Sequence, residues 1–135
     1  MSRFMFDTDT CSYLMKGASK VLDERVGQVA VGDVCMSVIT RAELGCGVAI
    51  SPRPEQDRKA LEALVAYVQV LELPEEAADH YAAIRADLTR RGEMIGANDL
   101  LIAAHARCLD LVLVTNNTRE FERVQGLALK SWLAE

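Results

Sequence analysis

Acidic and amide side chains recur in this chain where a run of apolar residues gives way to a helical pattern. Phe4-Met5-Phe6 is followed by Asp7-Thr8-Asp9, and Val34-Cys35-Met36-Ser37 leads into Thr40-Arg41-Ala42-Glu43. Asn98-Asp99 precedes the apolar run Leu100-Leu101-Ile102-Ala103-Ala104, and Leu111-Val112-Leu113-Val114 is followed by Asn117-Thr118-Arg119-Glu120. Taken singly, each place reads as a helix start. Asp7 suits an N-cap, residues 40–43 fit a capping box, and Asn98-Asp99 and residues 117–120 suit first turns, where acids complement the helix dipole. Taken together they allow a different chemistry. Carboxylates brought within a few ångströms repel and raise one another's pKa unless a cation lies between them. Oxygen ligands with little histidine and no thiolate select Mg²⁺ or Mn²⁺ over zinc. Such an ion can bind a phosphodiester oxygen, lower the pKa of an attacking water and neutralise charge in an in-line displacement. Asp7, Glu43 and Asp99 are therefore candidate catalytic and metal-binding residues for phosphodiester hydrolysis.

The elements must deliver these acids to one place. Apolar β-rich runs alternate with longer helical patterns, which predicts an α/β fold with a parallel sheet covered by helices. Strands are expected at residues 3–6, 34–37, 70–73, 111–115 and 127–132. Leu61, Leu64, Val65 and Val68 fall at helical spacing, as do Ala77, Tyr81, Ile84 and Leu88 in the segment opened by Pro74. Ser51-Pro52-Arg53-Pro54 reads as a helix stop followed by a new start, because proline disfavours helix at the residue before it. A helix is expected over 99–108. In an open parallel sheet the strand ends that precede helices share one edge, where ligands bind, so Asp7, Glu43, Asp99 and Asn117 are expected to converge there.

The composition narrows the alternatives. With 135 residues, half of them hydrophobic, the chain suffices for one domain with one sizeable core. A formal net charge of −5 argues against coating nucleic acid through overall positive charge, so an RNA partner would need locally concentrated basic residues. The candidates are Lys16, Arg41 and Arg119, with Lys20, Arg85, Arg90, Arg91 and Arg123 behind them. Cys11, Cys35, Cys46 and Cys108 form no C-x-x-C pair and read as small buried apolar residues in a reducing compartment. His80 and His105 lie within helical patterns and read as surface or packing residues. An acid after only three apolar positions leaves no room for a signal peptide, and no run approaches the roughly 20 residues of a membrane span. The expectation is a soluble, cytoplasmic protein.

The segments 4–9, 37–44, 95–104 and 113–121 also arrive in the order of a known family. The chain resembles the PIN-domain VapC toxins of bacterial VapBC toxin–antitoxin systems, over nearly its whole length. The resemblance implies a single PIN-like, Rossmann-like domain over residues 1–133, with a central sheet of four or five strands. It implies Mg²⁺- or Mn²⁺-dependent cleavage of structured RNA such as tRNA, a cognate VapB-type antitoxin that occludes the groove, and a homodimer. Carried over by position, Asp7 and Asp99 become the principal metal ligands. Glu43 completes the site directly or through a bound water, and Thr8 and Thr115 hold waters or phosphate. The family's fourth acid falls at Asn117, which is neutral here; Glu120, one helical turn on, could supply the missing charge.

Three rivals share parts of this pattern. A haloacid-dehalogenase-type phosphatase would use Asp7 as nucleophile and Asp9 as acid/base, but residues 11–16 read as helix where that family has a turn and small hairpin. A phospho-receiver domain needs an adjacent acidic pair after the first strand, which is absent. A degenerate, non-catalytic PIN fold that binds RNA or protein would account for Asn117.

Overall fold

The computed structural model describes residues 2–133. Five strands, β1 (Phe4–Phe6), β2 (Val34–Ser37), β3 (Gln69–Leu71), β4 (Val112–Val114) and β5 (Leu129–Lys130), form one sheet in the order β3-β2-β1-β4-β5. Every pairing is parallel. Seven helices connect them: α1 (Thr8–Lys16), α2 (Lys20–Gly27), α3 (Val38–Ile50), α4 (Pro54–Tyr67), α5 (Ala77–Arg91), α6 (Ala97–Cys108) and α7 (Thr118–Phe121). The α/β expectation and its five strands are met. The strand order reverses between β1 and β4, which places the crevice typical of ligand sites at the ends of those two strands.

The two faces of the sheet are buried by different helices, because successive residues of a strand point to opposite sides. Phe4, Phe6, Val34, Met36 and Val114 pack with Leu22, Leu44, Val48, Leu61 and Leu64 from α2, α3 and α4. Met5, Cys35 and Leu113 face Ile84, Leu88, Leu100, Ile102 and Phe121 from α5, α6 and α7. Burial on both faces explains why the central strands are continuous apolar runs.

The strand bounds differ from expectation at the edges. β3 begins one residue earlier and ends at Leu71, since Glu72 and Leu73 are exposed on the way to Pro74. β5 has only two residues, yet Trp132 beyond it packs edge-on against Phe4 and Phe6, at 4.9 and 5.5 Å between ring centroids. The apolar pattern at 127–132 thus reports core packing more than sheet pairing. The break after α3 holds: Pro54 opens α4, while Ser51 Oγ accepts from the Arg53 amide. Two readings are corrected. The cap of α3 is Ser37, whose hydroxyl accepts from the Ile39 amide, so Thr40 and Glu43 lie inside the helix and form no capping box. Cys11 and Cys35 are buried, but Cys46 is exposed on α3 and Cys108 only partly covered.

His105 is a buried packing residue, but it reaches a strand end that its sequence position did not suggest. Its Nδ1 lies 2.8 Å from Ser37 Oγ, which ties α6 to the junction of β2 and α3, and burial holds its pKa below the ordinary value. His80 accepts a hydrogen bond from Arg107 Nε at 2.9 Å.

Candidate active site

Asp7 follows β1 directly and is only 3% exposed. One of its oxygens accepts from the Thr10 amide at 2.9 Å, so the residue does cap α1. The other accepts from the Thr115 hydroxyl at 2.5 Å, and that hydroxyl accepts in turn from the Asn117 amide at 2.9 Å. The N-cap reading and the ligand reading are therefore compatible: each carboxylate oxygen has a second lone-pair direction left for another partner. Burial raises the pKa of Asp7, against the hydrogen bonds from Thr115 and Thr10.

Glu43 and Asp99 come to Asp7 from two helices. Glu43 lies in the second turn of α3 and Asp99 in the first turn of α6, which starts two residues earlier than expected, at Ala97. Asp7, Thr8, Asp9, Glu43, Asp99, Asn117 and Phe121 line one pocket of about 200 Å³. The pKa of Asp99 is raised to about 6, first by burial and then by the charges of Asp7, Glu43, Glu120 and Asp9. Among the described residues no hydrogen bond reaches its carboxylate. Glu120 does not line the pocket, but its charge is felt there, next to the neutral Asn117.

The acids share a pocket, but among the described residues no three acidic, histidine or cysteine side chains stand close enough together to enclose an ion unaided. Glu43 is engaged by other partners. Its Oε1 accepts from the Thr8 hydroxyl at 2.6 Å and its Oε2 from the Asn98 amide at 3.2 Å, while Thr8 and Thr40 share a further hydrogen bond of 3.2 Å. The donor set still fits a hard divalent ion, since every pocket ligand is oxygen and Mg²⁺ keeps several waters while bound by one or two carboxylates. Asp9 lines the pocket although only the phosphatase reading singles it out, and Asn98 joins the site through Glu43 without having been expected there. The only signal for Asn98 was its place beside Asp99, where it looked like a helix start.

The basic candidates scatter. Lys16 and Arg53 line a larger groove of about 780 Å³ between α1, α3 and α4, which meets the acidic pocket at Thr8, Asp9 and Glu43. Arg41 faces Arg58 across a pocket between α3 and α4. Arg119 lines a cleft of about 530 Å³ together with Arg91, Arg123, Glu93 and Glu122.

An acidic, oxygen-only pocket at the switch point of a parallel sheet is the arrangement of a nuclease more than of a phosphatase, since α1 starts at Thr8 and leaves no hairpin after Asp9. Known proteins agree. Residues 4–127 match the PIN domain. The tRNA(fMet)-specific endonuclease VapC of Shigella flexneri is 41% identical over 132 residues, 98% of this chain and 99% of the relative. Ribonuclease VapC1 of Haemophilus influenzae strain R2866 is 42% identical over 130 residues, 96% and 97% of the two chains. Among solved structures, DNA-bound VapBC of Salmonella typhimurium superposes with a TM-score of 0.92 at 39% identity, covering 98% of this chain and 99% of its counterpart. VapBC-1 of nontypeable Haemophilus influenzae gives 0.89 at 41% identity, covering 99% and 100%. The chain belongs to the VapC ribonucleases of the PIN-domain family.

Proposed function

We propose that this chain is a Mg²⁺- or Mn²⁺-dependent endoribonuclease toxin whose ion is held by Asp7 and Asp99. The observation that carries this is the convergence of Asp7, Glu43 and Asp99 on one pocket at the reversal of strand order. A divalent ion bound there would supply Lewis acidity toward a phosphodiester oxygen and a more acidic attacking water. Asp7 offers a carboxylate already oriented by the Thr10 amide and Thr115. Asp99 offers one that no hydrogen bond engages among the described residues. Glu43, held on both oxygens by Thr8 and Asn98, acts through a water and aligns it.

The substrate is structured RNA such as tRNA, as the name of the Shigella relative says of that enzyme. The partner is a VapB-type antitoxin, and the toxin is a homodimer that works in the cytoplasm. The groove between α1, α3 and α4 supports a polypeptide partner, because it is lined by Met15, Leu44, Val48 and the 79% exposed Ile50 and ends at the acidic pocket. No helix among the described residues is long and apolar enough to cross a membrane.

Purified protein with Mg²⁺ or Mn²⁺ is expected to cleave an in vitro transcribed tRNA and to fall silent with chelator. Asp7→Ala and Asp99→Asn should each lose on the order of a thousandfold or more in rate while staying folded. Cleavage that survives both substitutions, or an excess of chelator, refutes the proposed site.

A further inference from the structure

We infer that the cleft formed by Arg119, Arg91 and Arg123 is a phosphate-binding track that seats the RNA strand beside the acidic pocket. The inference rests on the ribonuclease reading and says where the polyanion lies. The protein is acidic overall, and its pocket adds Asp7, Asp9, Glu43 and Asp99 at one spot, so RNA is repelled unless cations stand close by. α7 is the wall between the two regions. Asn117 and Phe121 face the acidic pocket, while Arg119, Glu122 and Arg123 face the cleft, with Arg91 and Glu93 opposite. A helix with its side chains is about 10 Å across, and one strand of a duplex advances about 3.4 Å along the helix axis per phosphate, with successive phosphates further apart than that in space. A strand cut at the pocket can therefore bring phosphates only a few positions from the cut to the arginines.

The cleft is built rather than loose. Arg91 holds Asp87 through Nε at 3.1 Å and Nη2 at 2.7 Å, contacts Glu93 at 3.4 Å, and donates to the Arg123 carbonyl. Arg123 Nη1 donates to the carbonyls of Glu93 and Met94, at 3.4 and 3.1 Å, fastening α7 to the loop that leads into the Asp99 helix. These contacts fix two guanidinium groups in place and leave donors unused. Arg119 is exposed and has no ion pair or hydrogen bond from its side chain among the described residues, so it is the cation with its full donor set available. Three arginines and two glutamates line the cleft, with Glu93 paired to Arg91 and Arg123, so Arg119 brings the positive charge that those pairs leave over, and the absence of an apolar side chain from the lining offers nothing to an apolar protein surface. The other basic candidates lack this setting: Lys16 sits in a groove with an apolar lining, and Arg41 in a pocket lined by Val48, Leu61 and Val65.

The test is affinity for an in vitro transcribed tRNA, measured in the Asp7→Asn background so that no cutting intervenes. Arg119→Ala should weaken binding several-fold at about 0.1 M salt and lower the slope of log affinity against log salt by about one; Arg119→Glu should weaken it tenfold or more. Lys59→Ala and Lys59→Glu, which make the same charge changes on exposed α4 across the sheet, should stay within about twofold. Melting curves confirm that each variant is folded. Arg119 variants that match their Lys59 counterparts overturn the inference, as does a failure of the Asp7→Asn protein to bind tRNA at all. Binding that depends on Arg119 in a protein whose wild type never cleaves RNA would instead sustain the track and overturn the acidic pocket as a nuclease site.

Discussion

The floor and the rim of the acidic pocket hold their carboxylates in opposite ways. Asp7 on the floor stands at the end of the central strand, almost fully buried, with both oxygens hydrogen-bonded by groups that follow β1 and β4. Asp99 on the rim stands on a helix, half-buried, among like charges and with no hydrogen-bond donor among the described residues. Burial raises both pKa values, but hydrogen bonds offset the rise at Asp7 while Asp7, Glu43, Glu120 and Asp9 add to it at Asp99. The floor is thus pre-organised, and the rim stores repulsion that a cation would relieve.

Asp99→Asn probes that contrast most strongly. Activity should fall about a thousandfold or more, yet the metal-free protein should melt at a higher temperature, because a repelled carboxylate is gone. Mg²⁺ should no longer raise the melting temperature. A lower metal-free melting temperature would show that Asp99 is not held against repulsion. Thr115→Val should act on the floor instead. It leaves a buried carboxylate oxygen short of a donor, at a cost of about 1–3 kcal/mol, and should raise the Asp7 pKa further, whereas Thr115→Ser should retain most of the stability. Equal urea midpoints for the two variants would contradict this.

A smaller effect is expected from pH. Asp99 titrates near 6 in the folded, metal-free protein and near 3.8 when unfolded. Between those values the folded state holds more protons at Asp99, so the Asp99 contribution to metal-free stability should be fully present below about 3.8 and lost as pH rises through about 6. Metal binding needs the ionised form, so affinity should fall up to tenfold per unit as pH drops below about 6, with one proton released on binding. Calorimetry in buffers of different ionisation enthalpy measures that proton; none released near pH 5.5 would remove Asp99 from the ligand set. The smallest change is expected for Asn98→Ala, which frees one oxygen of Glu43. About a tenfold loss in turnover, the lower end for a group that orients a ligand, should come with little change in metal affinity. An unchanged rate would show that Asn98 does not position Glu43.

Much of this site was legible in advance because its signals are local. Asp7 and Thr115 follow apolar runs that could only be buried strands, and the sheet rule places such strand ends on one edge. The clamp on Glu43 was not legible. Thr8 and Asn98 are 35 and 55 residues away from it, and their hydrogen bonds exist only once α1, α3 and α6 are packed. The same holds for His105 on Ser37, 68 residues apart, and for the exposed face of Cys46. The capping-box reading of residues 40–43 failed because Ser37, three residues earlier, starts the helix straight from the strand and takes the cap.

The order of apolar runs and helical stripes determined by itself the α/β class, the number of strands and the identity of the acids, since burial and backbone periodicity act over a few residues. Which oxygen each carboxylate offers, how closely the acids approach, and where the arginines lie relative to them were decided by packing on the two faces of the sheet. Those distances are set by contacts between segments remote in the chain, and no local rule of periodicity or capping encodes them.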